Sequence, residues 1–310
     1  MTDTPADVVE SVRPPRRAPG RWRRTAVVLT VMLLLFGVPW WTLLGSGTAW
    51  PTAVVVTGTL AFAIAFAGLP TLMMLGHGRR HRDGAAVAGD ALLGAAWVLF
   101  VWSVLGQILH VVLLVAGVED PVRSRVVAIA VAVVAVVLLV WGHTEAMRVP
   151  RVRKLDVGID RLGHGLDGLR IAVITDTHYG PINRARWSAN VVTRVNERGG
   201  DVACHVGHIA DGTVAVREEQ ASPLAAVTAT SARVYVTGNH EYFSEAQEWL
   251  DYMESIGWDA LHNRHIVVER AGDRLVVAGV DDATAKASGV HGHGANLQAA
   301  LAGANPALPV

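Results

Sequence analysis

Charge is what long stretches of this chain lack. Between residues 25 and 78 there is no Asp, Glu, Lys or Arg. From 84 to 118 the one exception is Asp90, and from 126 to 144 there is again none. Helices that face water carry a charged stripe, so these runs exclude an ordinary water-exposed fold for the first half. Cysteine is nearly absent as well. Cys204 stands alone, which excludes an internal disulfide and favours a reducing compartment. Net charge is also missing, with Lys+Arg 27 against Asp+Glu 27. No global basic field points to nucleic acid, and no nucleic-acid partner is expected.

What is present is apolar length. Hydrophobic residues make up 51% of the 310 residues, and mean hydropathy is +0.34. A membrane-spanning helix needs about 20 mostly apolar residues. Residues 25–44 and 52–75 each supply them, on either side of a hinge from Gly45, Ser46 and Gly47 to Pro51. Residues 85–116 are long enough to span with tilt, and 126–141 form a shorter uninterrupted run. Four spans are expected. The first run is too long for a cleaved signal peptide and has no small-x-small cleavage site before a polar start.

Positive residues near span ends set orientation. Arg13, Arg16, Arg17, Arg21, Arg23 and Arg24 precede the first span; Arg79, Arg80 and Arg82 separate the second and third; Arg148, Arg151, Arg153 and Lys154 follow the fourth. On the other side Glu119, Asp120, Arg123 and Arg125 balance. This places the N-terminus and the second half in the cytoplasm, with the chain integral to the cell membrane. Trp40, Trp41, Trp50 and Trp141 fit an interfacial aromatic belt. Within the spans, Gln107 and His110 lie three apart on one helix face and read as glue between helices rather than a transport path.

After Arg148 the chain reads like a globular domain. Strands are expected at 169–175, 202–206, 233–236 and 275–280, and helices at 186–198, at 218–228 (weakly) and from Ser244 to Gly257. Ser244 and Gln247 have capping-box spacing. A βαβαβ order predicts a largely parallel core, and in such sheets ligands collect beyond the carboxyl ends of the strands. Asp176-Thr177-His178 ends the first strand. Gly207-His208 ends the second, with Asp211 just beyond, and Gly238-Asn239-His240-Glu241 ends the third. Three strand ends delivering imidazole, carboxylate and amide groups to one edge suit Mn, Fe or Zn.

These residues carry a resemblance. Asp176-x-His178, the Gly-x pair after strand two and Gly238-Asn239-His240-Glu241 resemble the calcineurin-like metallophosphoesterase family. Ile209-Ala210-Asp211-Gly212 and Ala278-Gly279-Val280-Asp281-Asp282 resemble its bacterial membrane-linked branch. The resemblance covers residues 168 to 282. It implies an α/β domain, a β-sandwich flanked by helices, behind an all-α transmembrane bundle of four helices. It also implies two divalent metal ions. Asp176 and His178 would bind the first, Asn239 the second, and His240 would act beside the leaving group. Two cations suit a displacement in which attacking and departing oxygens both carry charge, and water activated by metal removes the need for a Ser or Cys nucleophile. Cys204 then reads as a buried strand residue.

Two departures follow. The family has Gly-Asp where this chain has Gly207-His208, and a neutral imidazole cannot bridge two metals as a carboxylate does. His208 therefore stands as a doubtful metal ligand. Asp211 is either a partial substitute or a turn residue beside Gly212, with Asp-Gly chemistry favouring the turn. The family also has later histidines, including a Gly-His-x-His pair. Here His291-Gly292-His293 has the wrong order and reads as loop. The last residues, 305–310, look like the start of a strand. The expectation is a C-terminally truncated site in which restoring residue 208 alone does not rescue activity.

The expected organisation is a basic tail over 1–24, four spans over 25–146, a basic linker over 147–167 and a truncated domain over 168–310. The function implied is a membrane-anchored, metal-dependent phosphoesterase for phosphate mono- or diesters, with a lipid-linked substrate suited to the anchor. The alternatives are an inactive relative serving as a binding module, and a membrane protein whose spans carry the function with the second half regulatory.

Overall fold

In a bilayer no water satisfies backbone N–H and C=O groups, so an apolar run closes its hydrogen bonds internally as helix. The computed structural model, which describes residues 21–78 and 82–310, has four such helices: α1 (Arg21–Leu44), α2 (Thr52–His77), α3 (Asp83–Val115) and α4 (Val122–Ala146). All four are long and apolar enough to cross a membrane. The basic residues Arg13, Arg16, Arg17, Arg79 and Arg80 lie outside the described residues. The chain divides into two compact units, one of residues 1–72 and 89–139, the other of 73–88 and 140–310.

In the helical unit, between 6% and 22% of each helix's most apolar window is buried. Contacts between helices are small or polar. Gly106 of α3 sits where a Cβ would meet Val127 and Val131 of α4, so glycine sets that close approach. The Gln107 side chain donates from Nε2 to Thr42 Oγ1 of α1 at 3.2 Å, which joins two helices as the sequence suggests. Trp40 Nε1 donates to Thr59 Oγ1 of α2 at 2.9 Å. The Arg125 guanidinium donates to the carbonyls of Thr48 and Ala49 and lies over the Trp50 ring.

In the second unit the alternating pattern becomes a parallel sheet. Strands β1 (Ile171–Ile174), β2 (Val202–Val206), β3 (Ala232–Val236) and β4 (Asp259–Ala260) pair in that order, all parallel. Helices α5 (Ala185–Asn196), α6 (Val214–Ala221), α7 (Asn239–Phe243) and α8 (Ala246–Ser255) complete the crossovers. One core unites sheet and helices through Tyr179, Val192, Ile209, Leu224, Trp249 and Met253. A second core, with Val202, Val234, Leu261 and Val268, joins this sheet to an antiparallel hairpin of β5 (Arg264–Arg270) and β6 (Asp273–Gly279).

Four local expectations change. Leu169 belongs to a turn, its N–H donating to Leu166 O, so β1 starts two residues later. The weak helix after the second strand starts earlier, at Val214, and ends at Ala221. Ser244 does not cap α8, whose N-cap is Glu245. Its hydroxyl turns back to the carbonyls of His240 and Glu241 instead. Strand β5 was missed altogether. Its turn, Ala271-Gly272, has both residues at positive φ, as a two-residue type I′ hairpin requires, but Ala-Gly is a weaker signal than Asn-Gly.

Candidate functional site

The carboxyl ends of β1, β2 and β3 lie side by side, and the loops leaving them make the site. Gly207 has φ 65°, and a Cβ there would meet Gly238 N at 2.4 Å. A Cβ on Gly238 would meet His208 N at 2.6 Å. Two glycines therefore let the second and third loops touch backbone to backbone, which brings His208 beside His240. Asp176, His178 and His208 hold positive φ of 54°, 41° and 53°. Such geometry costs a non-glycine residue about 1–3 kcal/mol and persists where its surroundings dictate it, commonly at functional sites.

Glu241 supplies that constraint. It is fully buried, and its carboxylate accepts from the backbone N–H groups of Ile209 at 2.7 Å, His208 at 3.1 Å and Gly238. One side chain thus ties the β2 loop to the start of α7. Burial pushes the Glu241 carboxyl above its ordinary value, with the three N–H donors opposing. In the sequence Glu241 stands only as the last residue of Gly238-Asn239-His240-Glu241, with nothing to mark its buried role.

Imidazoles from all three strand ends cluster, including His240, which the resemblance places beside the leaving group rather than among the ligands. His178, His208 and His240 each offer a nitrogen, all within 4.8 Å of one another. The His178 and His240 rings are 4.5 Å apart and nearly perpendicular. His208 Nδ1 lies 2.8 Å from Asp176 Oδ1. The Thr175 hydroxyl donating to Asp176 Oδ2 at 2.7 Å, helped by His208 and His178, holds the Asp176 carboxyl below the usual carboxylate range. Asn239 Oδ1 is buried with no hydrogen-bond partner. An unpaired buried amide oxygen is costly, and a cation bound there would supply its missing partner. Three imidazoles, a carboxylate and that oxygen fit a divalent transition cation.

Asp211 corrects a reading. It is not merely a turn residue: its Oδ1 accepts from His240 Nδ1 at 2.7 Å and His178 Nδ1 at 3.2 Å. A carboxylate on Nδ1 fixes each imidazole tautomer and leaves Nε2 for a metal or substrate. Asp211 is itself placed by Arg217, whose Nε donates to the Asp211 carbonyl and whose guanidinium pairs in bidentate fashion with Asp83 at 3.1 Å.

Beneath the site, His205 of β2 is fully buried. Burial drives it down to about 3, so it is neutral, and its Nε2 meets the Thr177 hydroxyl at 3.2 Å. Cys204 is half-buried, and burial pushes its thiol up to about 11, far from a nucleophile's range. His291 and His293 do lie in a loop, as read. His293, however, turns inward to His262 and Asp281, whose ligand atoms also lie within 4.8 Å of one another. Burial, reinforced by His262, holds His293 below its ordinary value. At the far end of the chain, Val276 of β6 donates to Pro309 O at 2.9 Å.

Parallel strands that aim Asp-x-His and Gly-Asn-His-Glu at one edge, with Gly-His between them, fit a metallophosphoesterase domain. With those motifs in their expected order and the similarities below, the chain belongs to the calcineurin-like metallophosphoesterase family, and four apolar helices make it a membrane protein. It is 31% identical over 68% of its length to a zebrafish transmembrane protein with metallophosphoesterase domain, covering 50% of that protein. A bovine protein of the same description is 32% identical over 62% of this chain and 45% of its own. An uncharacterized metallophosphoesterase of Aquifex aeolicus is 30% identical over 50% of this chain and 58% of its own. The chain thus spans about half the length of the curated relatives it matches. No family model and no solved structure matches it.

Proposed function

We propose that the chain is a membrane-anchored, metal-dependent phosphoesterase acting on phosphate mono- or diesters, with catalysis at the edge formed by Asp176, His178, His208, Asn239 and His240. The observation that carries this reading is the convergence of three imidazoles and Asp176 at three adjacent strand ends. Asp176 and His178 would hold a first divalent cation and Asn239 a second, and His208 would offer one nitrogen to either. Bound there, the cations would polarise the phosphoryl oxygens and activate water. Asp211 holds His240 by Nδ1, which turns the Nε2 edge of the ring to the departing oxygen, where it would act as general acid or stabilise phosphoryl charge. His178, held by the same carboxylate, directs Nε2 toward Asp176.

The proposed organisation is a basic tail over 1–24, spans over 25–146, a linker over 147–167 and the α/β domain from 168. The bias of Arg and Lys at span ends supports a cytoplasmic domain, and the anchor favours a lipid-linked substrate. The Cys204 thiol, pushed up to about 11 by burial, reacts too poorly to report sidedness. The suitable probe is a cysteine introduced at exposed Asp156 in a Cys204→Ser chain. A cytoplasmic domain requires that this thiol react with an impermeant reagent only after the cells are opened.

A second reading, an inactive relative that binds a phosphate ester or a partner, is favoured by His208. An imidazole supplies one lone pair where a bridging carboxylate would supply two oxygens. Mn²⁺-dependent hydrolysis of an aryl phosphate by the full chain, by His240→Ala and by His208→Asp separates the two. Hydrolysis lost about 10²–10⁴-fold in His240→Ala supports catalysis. An inert wild-type chain that still binds both metal and the phosphate ester supports the binding module, and hydrolysis gained in His208→Asp would show that residue 208 alone limits the site.

A further inference from the structure

A second ligand cluster lies outside this catalytic set. His262 follows β4, Asp281 follows β6, and His293 comes from the loop beyond. The Asp281 side chain is 1% exposed and that of His293 is 3% exposed. A buried carboxylate needs a compensating cation or a full set of donors. Among the described residues, the ion-pair partners of Asp281 are both histidines: His262 Nδ1 at 2.6 Å from Oδ1 and His293 Nδ1 at 4.0 Å from Oδ2. No Lys or Arg is among them. The two imidazole rings lie 4.5 Å apart, tilted by 39°.

We propose that His262, Asp281 and His293 form a separate binding site for one zinc-type divalent cation, which fastens the loop after β6 to the segment after β4.

Three residues distant in sequence each offer one ligand atom within 4.8 Å of the others. Two imidazoles and a carboxylate are a zinc donor set, with a fourth position left for water. The surroundings are those of an oriented metal site. Asp281 Oδ2 accepts from Gly294 N at 2.8 Å and Asn263 Nδ2 at 3.2 Å, which holds the carboxylate. His293 Nε2 lies 3.1 Å from Gln247 Oε1. An Nε2–H donating there leaves the Nδ1 lone pair free to accept from the Tyr242 hydroxyl or to meet a cation held against Asp281, 4.0 Å away, the arrangement in which an outer partner fixes a ligating ring. Tyr242 of α7 sits 3.0 Å from that Nδ1 and shares a hydrogen bond with Thr237.

The loop has little else to hold it. From residue 281 to 296 its regular structure is one short helical turn, α9 (Ala285–Ser288), and Gly289, Gly292 and Gly294 all have positive φ. Ala285 is its one residue in the apolar core, besides Asp281 as a buried polar group. A cation here replaces the missing apolar packing. It also steadies Tyr242, two residues from His240, so occupancy would stiffen the start of α7.

The test is a count. The metal-stripped full chain in detergent is titrated with Zn²⁺, alongside His293→Ala, Asp281→Asn and Gln247→Ala. The first two variants are expected to bind one equivalent fewer than wild type. Gln247→Ala, at an exposed outer partner, should keep the equivalent but bind it about 10–100-fold more weakly. Asp176→Asn must leave this equivalent in place, which separates it from the catalytic set. Should the first two variants fail to fold, hydrogen exchange on the wild-type chain decides. Zn²⁺ should slow exchange across 289–296 at least about tenfold, because the Gly294 amide is held by a metal-bound carboxylate. An unchanged metal count in folded variants, or exchange indifferent to Zn²⁺, overturns the proposal and leaves a hydrogen-bonded knot of two imidazoles and a carboxylate.

Discussion

The two units are built inside out relative to each other. In the helical unit Val, Leu and Ile side chains face outward, as at Val28, Leu60, Ile108 and Val133, while Thr42 and Ser103 are buried. In the α/β unit Trp249, Tyr235, Ile209 and Met253 are buried, and charged residues lie mostly outside. The same hydrophobic effect yields both patterns. An apolar surround removes any gain from hiding Leu, so small residues and hydrogen bonds hold helices together. Water drives the α/β core shut. The teaching is that polar burial means different things in the two units: glue in one, and a working site with a high cost in the other.

The sharpest break should come at the glycine contact. Gly207→Ala adds a Cβ against the Gly238 backbone at a positive φ. It is expected to destabilise the α/β unit by about 3 kcal/mol or more, seen as a lowered denaturation midpoint and loss of metal binding. Pairs such as Asp83–Arg217 come next. Arg217 is 4% exposed in its side chain and Asp83 29%, so Asp83→Ala leaves a buried guanidinium unpaired, at a cost of about 3 kcal/mol, the low end for a buried pair. The same denaturation experiment reads it, and an unchanged midpoint would show the pair to be solvated.

His205 predicts a pH dependence of similar size. Folded, it titrates near 3, and unfolded near 6.5. Below about pH 6.5 the unfolded chain binds a proton that the folded chain refuses. Stability is therefore full above that value and falls as pH drops from 6.5 toward 3, by up to about 1.4 kcal/mol per pH unit. His205→Gln should flatten denaturation midpoints across this window. The smallest effect belongs to the helical unit. Gln107→Leu removes the bond to Thr42 and should cost about 0.6 kcal/mol, measurable as a slight loss of resistance to unfolding in detergent.

Much of this was legible because the signals were local. Strand β2 appears at the residues expected, since Val202–Val206 is bounded by Gly200-Asp201 and Gly207. The candidate ligands follow motifs that sit at strand ends, so one parallel order brings them together. The misses share a different cause. Strand β5 carries Arg264, Glu269 and Arg270, and its apolar positions make sense only against β6 and the second core. Asp211-Gly212 has turn chemistry, and only the third dimension shows that its carboxylate reaches two imidazoles from two other strand ends. His262, Asp281 and His293 span 31 residues with no recognisable spacing, and their meeting depends on the hairpin between them.

The central claim is that three strand ends make one metal site. Calorimetric titration of the full, metal-stripped chain with Mn²⁺, compared with His178→Ala, tests it most directly. The account predicts that wild type binds Mn²⁺ and that His178→Ala loses that binding while keeping its fold and the equivalent at His262, Asp281 and His293. Unaltered Mn²⁺ binding in a folded His178→Ala chain, or no binding by wild type, would contradict it.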